Sequence, residues 1–174
     1  MNWLSIDPSN RTGLAFWKDG TLLFTGTARA KGTKGRWIVE HGNGVKEYAS
    51  KWELFVKAFD QQDALVMEEG FGQFSTAIKS QAEYRGFFKA VASYIAFKGH
   101  TIAVHVVNVQ EWRRAIKDEF ALSWPATTER KKALSVATVQ KAYGIRVNDD
   151  EADAVLLGRA VVRLGIVTIG GSNG

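Results

Sequence analysis

Three groups of carboxylates in this sequence could do chemistry together. Asp7 ends the apolar run Trp3-Leu4-Ser5-Ile6, Glu68 and Glu69 follow Leu65-Val66-Met67, and Asp149-Asp150-Glu151-Ala152-Asp153 stands where a helix begins. A carboxylate taken inside a domain must be paired or coordinated. Several converging ones suit a divalent cation, and Asp150 and Asp153, three apart, share one helix face. Magnesium prefers octahedral oxygen ligands and is held by a few carboxylates plus a substrate phosphate. Two such ions about 4 Å apart can activate a water and stabilise a departing 3′ oxygen at phosphorus. These residue types therefore predict metal-assisted phosphodiester hydrolysis.

Each acid also has a plainer reading. Asp7 could form a turn before Pro8, Glu68 and Glu69 could be solvated strand-end charges, and Asp149 to Glu151 could serve the helix dipole. Asp153, one turn further in and beside apolar residues, is harder to explain that way, and joint placement favours the catalytic reading. His41, His100 and His105 show no ligand spacing, and there is no cysteine, which excludes disulfides, zinc thiolate sites and thiol nucleophiles. The net charge of +5 favours an anionic partner. Its distribution is more informative: Arg29, Lys31, Lys34 and Arg36 lie in a glycine-rich stretch suited to phosphates, and Arg130-Lys131-Lys132 forms a second basic group.

The elements that must position these groups follow from hydrophobic period and turn chemistry. Residues 2–7 predict a strand, and residues 14–17 and 21–25, joined by Asp19-Gly20, predict a hairpin. Residues 27–44 are expected to be a mobile loop. Val45, Tyr48, Ala49, Trp52, Phe55, Val56 and Phe59 recur at three and four, which predicts a helix from 45. A short buried strand over 63–67 delivers Glu68, a long helix spans 75–98, and a strand spans 101–107. Helices follow at 109–120, with Trp112 in the core and Arg113 and Arg114 at the surface, and at 127–143. A brief extended segment is expected at 145–147, and a last helix runs from a cap at Asn148 or Asp149 to about Leu164.

The order predicts one α/β domain over residues 1–169, with three opening antiparallel strands in a mixed sheet and helices on both faces. Residues 170–174 are expected to be a flexible tail. In open α/β sheets ligands gather where strand ends and helix starts meet, so the acidic groups can converge there. No apolar run reaches the roughly 18–20 residues of a membrane span, and a cytosolic protein is expected.

Taken in order, these segments resemble the RuvC-like Holliday junction resolvases of the RNase H-like superfamily, and particularly their short phage-type relatives. Ile6-Asp7-Pro8-Ser9-Asn10-Arg11-Thr12-Gly13 is similar to the family's opening I-D-P-G-S-x-x-T-G, with Ser9 in place of a glycine and one residue fewer. Met67-Glu68-Glu69-Gly70-Phe71 resembles the segment of the second catalytic acid. Gln81-Ala82-Glu83-Tyr84-Arg85-Gly86 is similar to Q-A-R-G with two residues inserted, and Asp150-Glu151-Ala152-Asp153-Ala154 matches D-x-x-D-A.

The resemblance implies an RNase H-like fold and Asp7, Glu68, Asp150 and Asp153 as ligands of magnesium, two ions per site, with manganese able to substitute. It further implies a lysine near the scissile phosphate, Lys132 in preference to Lys131, and a base-stacking aromatic, Phe71 or else Phe74. The implied substrate is the four-way DNA junction, cut symmetrically by a homodimer. Phe87, Phe88, Val91, Tyr94, Ile95 and Phe97 make helix 75–98 the candidate interface. A ribonuclease H or a broader flap and branch nuclease would share the chemistry, and a non-catalytic junction-binding module is the rival outside enzymes.

Overall fold

Alternation along the first strands assigns each residue to a face. In β1 (Asn2–Asp7), Trp3 packs into one core while Leu4 and Ile6 enter another. In β2 (Arg11–Lys18), Ala15 and Trp17 share the face of Trp3, and Leu14 and Phe16 share that of Leu4. The two strands are joined antiparallel, with Ile6 opposite Leu14 and Asp7 opposite Gly13. The computed structural model describes residues 1–31, 36–42, 44–69 and 75–168, apart from the side chains of Arg36 and residues 75–81. Lys34, Phe71, Phe74 and the tail 170–174 lie outside the described residues.

Among the described residues the sheet has seven strands in the order β5-β4-β3-β2-β1-β6-β7. Strands β3 (Thr21–Lys31), β4 (Arg36–His41) and β5 (Lys46–Ser50) continue the antiparallel run. Strand β6 (Ala64–Glu69) lies parallel to β1, and β7 (Ala103–Asn108) parallel to β6. Helices α1 (Lys51–Phe59) and α2 (Ser75–Phe97) cover the Leu4 face through Phe55, Phe59, Phe88 and Val91. Helices α3 (Val109–Lys117), α4 (Thr128–Tyr143) and α5 (Asp149–Arg163) cover the Trp3 face. This is the expected mixed α/β sheet with helices on both faces. No helix among the described residues is long and apolar enough to cross a membrane.

The structure corrects three local expectations. The supposed loop 27–44 is largely a β-hairpin: β3 and β4 pair from Gly26 opposite His41 to Lys31 opposite Arg36. Trp37, Ile38 and Val39 are buried and prefer a pleated surface, which outweighs the bias of the glycines. The helix does not start at 45, because residues 46–50 form an edge strand with alternating exposure. Its true start is a capping box, in which Ser50 accepts from Glu53 N–H and the Glu53 carboxylate accepts from Ser50 N–H. Residues 145–147 are not a strand. The Asp19-Gly20 turn does form, with positive φ at both residues (47° and 84°), as a two-residue hairpin with right-handed twist requires.

Candidate active site

The sheet register places the first two acids side by side. Ile6 pairs with Met67 across the parallel β1–β6 ladder, so Asp7 and Glu68 come next on adjacent strands. Alternation then sends both toward the face of Trp3 and Val66, under α5 and α3, whereas Glu69 turns away and meets Asn108 at 3.5 Å. That separates Glu68 from Glu69, which spacing in the sequence leaves open.

Helix α5 supplies the other two. Its buried face includes Asp150, Asp153, Ala154, Leu157, Gly158 and Val161, a three-and-four repeat. Val155, Leu156, Leu157 and Val161 are each worth about 1.5–3 kcal/mol on burial, which offsets the cost of burying the two carboxylates. Two glycine-permitted approaches fix the docking. A Cβ on Gly13 would lie 2.0 Å from the Asp150 carbonyl oxygen, and one on Gly158 would lie 2.1 Å from Trp17 Nε1. Ser5 Oγ donates to the Ala154 carbonyl at 2.7 Å and accepts from Trp17 Nε1 at 3.0 Å. A capping box at Asn148 and Glu151 orders the first turn, and Thr27 Oγ1 donates to Glu151 Oε1 at 3.1 Å.

The four carboxylates therefore meet at the carboxyl ends of β1 and β6 and the start of α5. Asp150 and Asp153 are each 7% exposed, while Asp7 and Glu68 keep more solvent access. Burial, then the charges of Glu68, Asp153 and Asp150, push Asp7 well above the ordinary carboxylate range, with Lys132 opposing. Burial and then Asp153 push Glu68 up to about 7, against a hydrogen bond from Trp112 and the charge of Arg113. Burial is also the main reason that Asp150 and Asp153 are raised.

The residues fit a hard cation. The donors are all carboxylate oxygens, and the buried Oδ1 of Asp153 has no hydrogen-bond partner among the described residues. No three of these side chains stand at the spacing of a ready-made metal cage among the described residues. What the fold brings together is a concentration of negative charge, in which Glu68, Asp153 and Asp150 raise the pKa of Asp7, and Asp153 that of Glu68.

Basic groups border the acids. Lys132 Nζ pairs with Asp149 Oδ2 at 2.5 Å and lies 3.6 Å from Asp150 Oδ1, and Arg11 Nε lies 3.5 Å from Asp150 Oδ2. Burial works against the charge of Lys132 but is outweighed by Asp149, Asp150 and Asp7, so its pKa is raised. Lys131 is half-buried in the same helix turn. Arg29 is paired with Glu40 across the β3–β4 hairpin at 3.0 Å, and Lys31 sits over the Tyr48 ring, 4.6 Å from its centre. The expected phosphate-tracking arginine is thus tied to a carboxylate of its own hairpin.

Sequence reasoning missed three residues here. Arg11 follows from its place on the Gly13 face of β2, a signal present in the alternation. Trp112, expected only in the core, is buried there and also donates from Nε1 to Glu68 Oε2 at 2.8 Å. Arg113, expected at the surface, is half-buried with its guanidinium 5.0 Å and 5.1 Å from the ring centres of Trp112 and Trp124.

The raised acids set a pH dependence of stability. Glu68 moves from 4.5 to about 7 on folding, so the folded protein keeps a proton that the unfolded chain releases. This stabilisation is complete below pH 4.5 and disappears as pH rises through 7. In chelator, calorimetry should find a higher Tm at pH 5.5 than at 7.5, and Glu68→Gln should reduce the difference. A Tm that rises over this interval would contradict the burial assigned to these acids.

The strand order and the parallel step from β1 to β6 make a mixed α/β sheet with the RNase H-like fold. The chain is similar in structure to T. thermophilus RuvC, solved in complex with a Holliday junction substrate: 13% identity, 97% of this chain, 98% of that chain and a TM-score of 0.52. It also resembles the Fowlpox virus resolvase, solved with Holliday junction DNA (13% identity, 97% and 100% covered, TM-score 0.43). A third likeness is to the yeast mitochondrial Holliday junction resolvase (13% identity, 92% and 77% covered, TM-score 0.46). The first likeness shows the fold. No protein-family model and no curated protein matches the sequence.

Proposed function

We propose that this chain is a metal-dependent, structure-selective endonuclease that resolves four-way DNA junctions by paired symmetric cuts. The observation that carries the reading is the convergence of Asp7, Glu68, Asp150 and Asp153 at one end of an RNase H-like sheet. The fold it shares with T. thermophilus RuvC, a protein solved on a Holliday junction, supports the choice of substrate.

In this reading the four carboxylates hold magnesium, two ions per site, with manganese able to replace it. When bound, the cation supplies Lewis acidity and an activated water for in-line attack at phosphorus. Lys132 and Arg11 meet the scissile phosphate, and Asp149 holds the Lys132 ammonium in position. Lys31, Lys34, Arg36 and Lys131, with Arg29 where it is released from Glu40, take neighbouring phosphates. Phe71 or Phe74 stacks on an unpaired base, a contact worth about 1–3 kcal/mol.

The acting form is a homodimer that works in the cytoplasm, the host's if the chain is phage-encoded. Of the six α2 residues in the expected interface, Phe88, Val91 and Ile95 are consumed by the core of this chain. Tyr94 and Phe97 remain exposed at 37% and 85%, Tyr94 with its ring against that of Trp52, and these three form the proposed contact.

The deciding experiment presents an immobile four-way junction, linear duplex and RNA–DNA hybrid to the protein, each with magnesium and with chelator. Paired symmetric nicks on the junction alone, lost with chelator, are expected. Hybrid cutting would replace this reading with a ribonuclease H, and binding without any cutting would replace it with a structural module. Sedimentation in the same buffer should give a dimer that Phe97→Lys dissociates; a wild-type monomer that still makes paired nicks would overturn the dimer.

A further inference from the structure

Helix α3 begins where β7 ends, with Asn108 as its cap accepting from Gln110 N–H at 2.8 Å. Because Val107 is opposite Glu68 in the parallel β6–β7 ladder, the first turn of α3 rises beside Glu68. Trp112 and Ile116, four apart, are the buried face of this helix. The ring of Trp112 is therefore fixed by the core, and its indole N–H points at a carboxylate of the site.

A stack behind the ring holds it there. The Arg113 guanidinium lies over both indoles, Trp112 and Trp124 meet edge to face at 5.9 Å, and Trp124 Nε1 donates to the Arg113 carbonyl at 3.2 Å. Burial alone does not demand a carboxylate partner for an indole: Trp3, in the same core, has an Nε1 without a partner among the described residues.

Resting on the metal-nuclease reading, we propose that Trp112 is a positioning residue for the cation. It occupies Oε2 of Glu68, sets the plane of that carboxylate and leaves Oε1 as the oxygen offered to the metal. Groups that orient metal ligands in this way commonly govern affinity or activity by about 10–100-fold. Trp112→Phe keeps an aromatic ring in the core and removes the donor.

With magnesium alone as the probe, the half-saturating concentration in a thermal-shift titration should rise about 10–100-fold in Trp112→Phe. The kcat at the wild-type metal optimum should fall by a similar factor, while junction binding in chelator is unchanged. Trp124→Phe, which does not touch Glu68, should give a smaller effect. A second measurement needs no Trp112 variant: the Trp112 indole N–H resonance should shift on magnesium addition with the midpoint of the thermal titration, and should also move in Glu68→Ala.

Equal magnesium titrations for wild type and Trp112→Phe, or an indole resonance unmoved while the wild type binds magnesium, would overturn the proposal alone. A wild-type protein that neither responds to magnesium nor cuts any substrate would overturn the metal-nuclease reading and this inference together.

Discussion

Replacing Asp7 by asparagine is expected to abolish junction cleavage, to spare junction binding and to make the metal-free protein more heat-stable. The loss of cleavage follows from position: Asp7 feels the charges of Glu68, Asp153 and Asp150 together. A cation held by this set contributes several kcal/mol of charge stabilisation. At 1.36 kcal/mol per factor of ten, its mispositioning lowers kcat by about 10³-fold or more. Binding is spared because basic and aromatic groups make the DNA contacts in the proposed reading.

The gain in stability has a different cause. Burial and three like charges raise the pKa of Asp7, so at neutral pH its ionised form opposes folding. Asparagine has nearly the same shape and no charge. A higher Tm than the wild type in chelator is the expected result. Magnesium should raise the Tm of the wild type and leave Asp7→Asn nearly unmoved. An Asp7→Asn protein that still cuts, or that melts below the wild type in chelator, would contradict this account.

The two halves of that prediction share one physical origin, and it explains what the sequence made legible. Asp7, Glu68, Asp150 and Asp153 could be singled out because acids at the ends of apolar segments are costly and need a reason. Helices α2 to α5 and strands β1, β2, β6 and β7 were readable because their apolar segments are bounded by recognisable stops and caps, among them Gly99 after α2, Gly144 after α4 and Asn148 before α5. The β3–β4 hairpin was not, since its basic and glycine residues dominate the local composition while its pairing partner lies across the sheet. Residues 45–49 match a helical repeat and a strand equally well, and only the ladder to β4 decides between them. The donor role of Trp112 and the closeness of Arg11 to Asp150 depend on which strands are neighbours. Such information resides in the topology and not in any one segment.

Gly13 shows how tightly that topology constrains the site, and Gly13→Ala is expected to damage fold and activity together. A Cβ there would lie 2.0 Å from the Asp150 carbonyl oxygen, 2.3 Å from its carbon and 2.9 Å from Glu151 N. All three are backbone atoms, so no side-chain rotation relieves the clash, and the first turn of α5 must move away from β2. That turn carries Asp150 at its start and Asp153 one step on, and it is anchored by Ser5 and Ala154 further along. The helix must therefore tilt, which separates its two acids from Asp7 and Glu68. Overpacking of this kind costs about 1–3 kcal/mol, or about 2–12 °C in Tm for this size of chain. A displacement near 1 Å can cost about 10²-fold in rate. Gly86, in α2 with nothing among the described residues within 4 Å of an added Cβ, is the contrasting position. Gly86→Ala should stabilise by about 0.5–1 kcal/mol through helix propensity alone. If Gly13→Ala melts with the wild type, or cuts the junction at the wild-type rate, then α5 does not rest on β2 as described and the four carboxylates are not held by that contact.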